Sequence, residues 1–206
     1  MPDGGNSQVK RGRKFNQVLD GARQVFLRDG FEGASVDDIA RASNVSKATL
    51  YSYFPDKQLL FMEVAKGECQ RQADSAMAIL DLDRPIAEIL GDVGRHLIRF
   101  VASDFGLRIF RICVAESDRF PQLGREFYES GPAMVRARMI ALLEAGVARG
   151  ELKIDDIALA ADQFPELCKA DLFPRMVFHH ETRFSEPEIA RVVDGAVAVF
   201  MARYGV

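Results

Sequence analysis

Apolar side chains recur along this chain at three- and four-residue steps almost from end to end. Phe15, Val18, Leu19, Ala22, Val25 and Phe26 form one such stripe, with polar residues between them. Gly30 closes that stretch, and Phe31 follows where a Schellman ending places an apolar contact back on Phe26. Lys57 to about Leu80 predicts a long helix, and Asp81 to Arg84 a loop. Pro85 opens the next helix from its first position and carries it to about Ala102. Asp104 caps another, through Phe105, Leu107, Ile109, Phe110, Ile112, Cys113 and Val114. Pro121 to Tyr128 predicts a short helix, and Pro132 opens one that stops near Gly146 to Gly150. A helix from about Asp155 is expected to be kinked or split by Pro165 and Pro174, and Pro187 begins the last one. Strand-like alternation and hairpin dipeptides between β-branched runs are missing from the sequence. The pattern therefore predicts an all-α chain of about nine helices or more.

One stretch, Ser35 to Leu60, departs from long amphipathic helices. It reads SVDDIARASNVSKATLYSYFPDKQLL. Ser35 is a good N-cap, with Asp38 three residues on, where a carboxylate reaches back. Asn44 falls where a residue at positive φ ends the first helix, and Asn tolerates that conformation. Ser46 caps a second helix, Lys47 to about Tyr53. Pro55 forces Phe54 out of helical geometry, and Asp56 caps the helix after it. Leu50 and Phe54 point inward with Val45; Lys47, Ala48, Thr49, Tyr51 and Ser52 face outward. A short exposed helix with a cation, small side chains, hydroxyls and an aromatic suits the DNA major groove. The competing reading is an ordinary αα-hairpin of a helical protein.

Charge sharpens the first reading. The net charge is −3, which by itself argues against a nucleic-acid partner. Residues 1–60, however, carry a net +2 and the remainder −5. The acidic part repels a duplex and so favours one docking orientation. Lys10-Arg11-Gly12-Arg13-Lys14 adds a cationic arm, which either frays in solvent or lies along phosphates or in the minor groove.

At these residues the sequence resembles a known family. ARQVFLRDGFEGASVDDIA, then NVSKATLYSYF, then PDKQLL are similar to the DNA-binding domain of the tetracycline-repressor (TetR) family of one-component regulators. The match runs gapless from Phe15 to Leu60. It departs from the family at Ser43-Asn44, where Ala-Gly is usual. RICVAESDRFPQLGREFYESGP is similar to the C-terminal domain of an AefR-like subgroup. The resemblance implies a basic arm over 1–14, a three-helix helix-turn-helix domain over 15–60 and a ligand-binding and dimerisation domain over 61–206. It implies a double-stranded DNA operator, a homodimer, a small-molecule effector and a repressor's role. Candidate DNA contacts are Arg11, Arg13, Lys14, Ser35, Ser46, Lys47, Ala48, Thr49, Tyr51, Ser52, Tyr53 and Lys57. Among them, Ser35, Tyr53 and Lys57 are expected on the phosphate backbone.

The last helix predicts the partner surface. Ile189, Val192, Val193, Ala196, Val197, Phe200 and Tyr204 form its apolar stripe, and Ala190, Gly195, Ala198 and Ala202 keep the other side small. A helix apolar or small nearly all round is buried on two sides. The stripe is expected at a dimer interface; the alternative is burial inside one subunit. The family pairs its last two helices with their mates in a four-helix bundle, here roughly 155–173 and 187–204.

Catalytic chemistry finds no support. His96, His179 and His180 are the only histidines, and neither metal-ligand spacing nor a phosphate-binding glycine loop occurs. Three scattered cysteines fit buried small hydrophobes in a reducing cytoplasm. No membrane partner, cofactor or metal is expected. Large flexible apolar residues with interleaved polar ones suggest an effector cavity. Its candidate lining is Met62, His96, Phe100, Phe105, Arg108, Ile109, Ile112, Met139 and Phe173. The rival functions are a ligand-binding helical protein without DNA function and an enzyme on the same scaffold.

Overall fold

The structure, a computed structural model, describes residues 12–78, 81–118, 120–178, 180–181 and 183–206. Among these the chain forms eleven helices, and its only β-pairing is an isolated antiparallel bridge, Leu152 with Gly205. Internal contacts divide it into one unit ending at Gly67 and another beginning at Glu68.

The N-terminal unit holds α1 (Arg13–Gly33), α2 (Val36–Ala42), α3 (Lys47–Tyr53) and the first turns of α4 (Lys57–Ala78). The expected stripe of α1 is its buried face: Phe15, Val18, Ala22, Val25 and Phe26. The helix begins earlier than expected. Arg13 and Lys14 lie in its first turn rather than in an arm, and the Gly12 carbonyl accepts from Phe15 and Asn16. Gly30 interrupts α1 at φ 71°, a conformation only glycine adopts at little cost. The reversal brings Phe31 back to stack on Phe26 at 6.2 Å, and the Phe61 ring of α4 meets both at 5.0 and 5.1 Å. This aromatic cluster explains why the unit extends past Leu60: Phe61, Val64 and Ala65 are as buried as the residues of α1.

The C-terminal unit holds the rest of α4, then α5 (Ile86–Val101), α6 (Asp104–Glu116), α7 (Pro121–Ser130), α8 (Pro132–Ala148), α9 (Ile157–Lys169), α10 (Leu172–Val177) and α11 (Glu186–Tyr204). Three expected helix ends are corrected. Pro85 stands at the N-cap of α5, just outside the first helical position. The Ser103 hydroxyl, not Asp104, caps α6 by accepting from Gly106 N–H at 3.0 Å. Neither Pro165 nor Pro174 splits its helix. Pro165 lies within α9, and the break falls at Ala170 and Asp171, the latter at φ 66°. Pro174 falls in the first turn of α10, where an N–H has no helical acceptor to lose. A reciprocal capping box of Ser185 and Glu188 starts α11.

Candidate nucleic-acid interface

The interface is built on α2 and α3. Ser35 accepts from Asp38 N–H at 3.0 Å and starts α2; its hydroxyl donates to the Asp38 carboxylate at 2.5 Å. The carboxylate thus reaches the cap's hydroxyl, a variant of the usual box. Asn44, at φ 50°, turns the chain, and Val45 N–H returns to the Ala40 carbonyl at 3.1 Å. The Ser43-Asn44 departure is therefore compatible with the turn. Asn44 holds the left-handed residue, while Ser43 is buried with its hydroxyl 3.4 Å from the Val18 carbonyl. Ser46 starts α3 by accepting from Thr49 N–H at 3.1 Å, and Leu50 and Phe54 are buried as predicted.

The outer face of α3 carries the expected side chains. Ser46, Lys47, Ala48, Tyr51 and Ser52 are exposed, Tyr51 by 49%. Thr49 and Tyr53 are half-buried. Tyr53 rests edge-on against Phe15 at 5.7 Å. Lys47 is not a bare cation. Its ammonium pairs with Asp37 of α2 at 2.6 Å, and that contact raises its pKa above the ordinary lysine value. Asp37 therefore competes with any phosphate for this charge. The pair is exposed on both sides, where solvent screens it, so a phosphate can displace it. Ser35, Arg13 and Lys14 are exposed, and Arg11 lies outside the described residues.

Lys57, expected on the DNA backbone, is half-buried, and its ammonium donates to the carbonyls of Phe31 (2.8 Å) and Ala34 (3.2 Å). It also lies 4.4 Å over the Phe31 ring. The end of α1 offers unpaired carbonyls and partial negative charge, which draw the cation inward.

The candidate effector residues are dispersed in depth. Met62 is buried in the N-terminal unit. Met139 belongs to the continuous core of the C-terminal unit with Leu142, Leu143 and Phe164, so it packs structure as well as any cavity wall. Ile109 is buried too, while Phe100, Phe105, Arg108 and Ile112 are half-buried. Phe173 is half-buried and packs edge-on against Phe110 at 5.2 Å. His96 differs from the others in chemistry. Its Nε2 is buried and has no hydrogen-bond partner among the described residues. The described residues contain no cluster of three metal-ligating side chains. None of their helices is long and apolar enough to cross a membrane.

The α11 residues expected at the dimer interface lie mostly toward the subunit's own core. Ile189, Val193, Ala196 and Phe200 are buried within the subunit, in the same core as Phe164 and Leu90. Val192 and Val197 are half-buried against that core. A side chain already enclosed has no surface left for a partner. The open side of α11 is the small one: Gly195, Ala198 and Ala202 are exposed, and so is Val199, by 56%. Leu159 of α9 is likewise 49% exposed. A groove of about 560 Å³ between α9 and α11 is lined by Leu167, Val199, Arg203 and Tyr204 among others.

A capped two-helix turn with a polar outer face, mounted on α1 at the head of a helical chain, defines a helix-turn-helix regulator. Comparison with known proteins makes the assignment specific. Residues 18–64 match the family of bacterial regulatory proteins, tetR family, and residues 88–206 match the AefR-like transcriptional repressor, C-terminal domain. The chain belongs to the TetR family of DNA-binding transcriptional regulators, whose members bind operators as dimers. The Bacillus subtilis (strain 168) regulator YdeS is 27% identical over 161 residues, which cover 75% of this chain and 78% of YdeS. The Corynebacterium efficiens repressor AcnR is 34% identical over 59 residues, and the match spans 31% of its length. A TetR-family regulator from Mesorhizobium loti superposes with a TM-score of 0.79 at 28% identity, covering 97% of this chain and all of that one. The flavonoid-responsive regulator FrrA superposes at 0.68 with 35% identity, covering 94% and 98%. The related proteins are regulators, not enzymes.

Proposed function

We propose that this chain is a repressor that leaves a near-palindromic operator when a flavonoid-like aromatic effector binds its C-terminal unit. The observation that supports the DNA half is the outer face of α3, where Lys47, Thr49, Tyr51 and Ser52 stand over a buried Leu50 and Phe54. Two copies would set their α3 helices in successive major grooves about one helical turn apart. Tyr51 and Lys47 reach the groove, while Ser35 and Tyr53 meet phosphates. The copies would join through the open faces of α9 and α11, with Leu159 and Val199 at the contact.

The effector reading rests on FrrA's name and on two features of this chain. Its α5 to α6 segment is rich in half-buried aromatic side chains, Phe100 and Phe105 among them. The unpartnered His96 Nε2 can bond a phenolic hydroxyl as donor or acceptor. Because α4 belongs to both units, it is the element through which an effector would act on α2 and α3. A coupling of about 1–3 kcal/mol would weaken operator binding about 5- to 150-fold.

The test has two arms. Duplexes selected from random DNA should bind with a log–log salt slope of roughly −7 for eight phosphate contacts. A slope near zero sinks the DNA half. A panel of flavonoids titrated into the operator complex should then release DNA; a flavonoid that binds and leaves affinity unchanged removes the effector half.

A further inference from the structure

Lys47 is the one charged side chain of α3, and the fold sets a carboxylate beside it. Its Nζ lies 2.6 Å from Asp37 Oδ1, on the neighbouring helix α2. The next residue, Asp38, is already engaged with Ser35 and Arg41, so Asp37 is the acidic side chain of α2 left for Lys47. The Asp37 and Lys47 side chains are 60% and 54% exposed, and Lys47 stands one turn before Tyr51 on the same side of α3. The pair does not bar Lys47 from a duplex. An ammonium has three donors, and Asp37 takes one of them; a carboxylate has several acceptor sites, and Lys47 takes one of those. The outer surface therefore presents donors and an acceptor side by side, each holding the other in place.

The major-groove edge of a G·C pair is the complement of that arrangement. Guanine O6 and N7 accept, and the cytosine N4 amine beside O6 donates. Two ammonium N–H groups can meet O6 and N7 while the third stays on Asp37, whose carboxylate takes the amine. Other pairs in the same place fit less well. C·G and A·T turn an amine toward the ammonium, and T·A puts a methyl group where N7 would accept. A phosphate offers acceptors only, so it has to displace Asp37 to engage Lys47 fully. We propose that Asp37 and Lys47 together read one G·C pair in each half-site, Lys47 on the guanine and Asp37 on its cytosine. Asp37 is then a specificity-determining residue, at a place where a lone carboxylate would only repel the duplex. This rests on the DNA reading above and adds a base preference to it.

The test uses the full-length chain and an operator that the wild type selects from random duplexes. Wild type, Asp37→Ala and Lys47→Met are titrated with every single base-pair substitution of one half-site, and thermal unfolding confirms that each variant is folded. In the wild type, replacing one G·C pair should cost about 5- to 150-fold in affinity. At that pair alone, the cost should shrink several-fold in both variants. Modified bases separate the two side chains. Removing the guanine N7 with 7-deazaguanine should weaken the wild type and not Lys47→Met. Replacing the cytosine by 2-pyrimidinone, which lacks the N4 amine, should weaken the wild type and not Asp37→Ala. Relaxation at different pairs in the two variants, at a pair other than G·C, or at none, would overturn the inference. An Asp37→Ala protein that gains affinity equally on operator, substituted operators and scrambled duplex would also overturn it, because Asp37 would then act only as a charge facing phosphates. A wild type that binds no duplex removes the DNA reading, and this inference falls with it.

Discussion

Substituting Gly21 by alanine should damage the reading head from inside α1. A Cβ at this helical position would sit 2.2 Å from Ser43 Oγ, 2.5 Å from Ser43 N and 2.7 Å from Ser43 Cα. The hydroxyl can rotate away. The two backbone atoms cannot, because the Ser43 N–H is bonded to the Ile39 carbonyl at 2.9 Å and Asn44 follows at a left-handed φ. The turn between α2 and α3 must therefore move off α1. Overpacking of this kind costs typically about 1–3 kcal/mol, and a rigid neighbour puts this site at the upper end. Alanine's better helix propensity returns about 1 kcal/mol. A net loss of roughly 1–2 kcal/mol remains. For a unit of this size, each kcal/mol lowers the melting temperature by about 4–8 °C.

Calorimetry of the full chain and operator titration of the same sample read both consequences: an earlier N-terminal transition and weaker specific binding. Adding Ser43→Ala should not rescue the variant, since it removes only the outermost of the three contacts. Rescue would show that the hydroxyl, not the backbone, sets the limit. A Gly21→Ala protein that melts at or above wild type and binds its operator normally would refute the reasoning. Helix propensity would then outweigh the steric cost at Ser43.

Val199→Glu, on the open side of α11, should shift the protein from dimer to monomer in light scattering with its helical content kept, whereas Phe200→Ala should cost about 3–5 kcal/mol of subunit stability. Tyr51→Ala should weaken the operator by about 1–3 kcal/mol and leave the melting temperature nearly unchanged. Burial pushes the thiols of Cys69, Cys113 and Cys168 up to about 11, 12 and 12, so a thiol reagent at neutral pH should label them only in denaturant; rapid labelling of the folded chain would contradict their burial. The Glu151 carboxylate is held below its ordinary 4.5, first by the Ile86 N–H at 2.7 Å and then by Arg149. A depressed folded pKa contributes stability above the unfolded value and loses it as pH falls through the folded one. Glu151→Gln should therefore lower stability at neutral pH and flatten the acid limb of a pH–stability curve below about pH 4.5.

The reading head was legible because its signals are local. Caps at Ser35, Ser46 and Asp56, the left-handed Asn44 and the stop before Pro55 each act within a few residues, and each appears where its chemistry required. Contacts between distant segments were not legible. Nothing in the sequence pairs Lys47 with Asp37 rather than with solvent, and nothing near Gly21 announces Ser43. Lys57 illustrates the limit. A lysine at a helix start near a candidate DNA surface reads as a phosphate contact, and only the chain reversal at Gly30 brings two carbonyls within its reach.

The last helix shows why a stripe and an interface are different things. Hydrophobic periodicity marks the side that must leave water, and in α11 the subunit's own core takes that side: Phe164 meets Phe200 at 5.3 Å, and Tyr204 closes the end by donating to Gln163 at 2.7 Å. What remains for a partner is the side that periodicity treats as background. Gly195, Ala198 and Ala202 bury little area each, but they permit close backbone approach, and Val199 and Leu159 supply the apolar contact beside them. The sequence pattern thus recognised that two sides of α11 need cover, but not that the subunit's own core takes most of the strong stripe. The strong stripe went to the subunit because folding must bury it before any second copy arrives. In the dimer proposed above the weak one serves association, where small residues would let two helices meet without exposing a large greasy patch on the monomer.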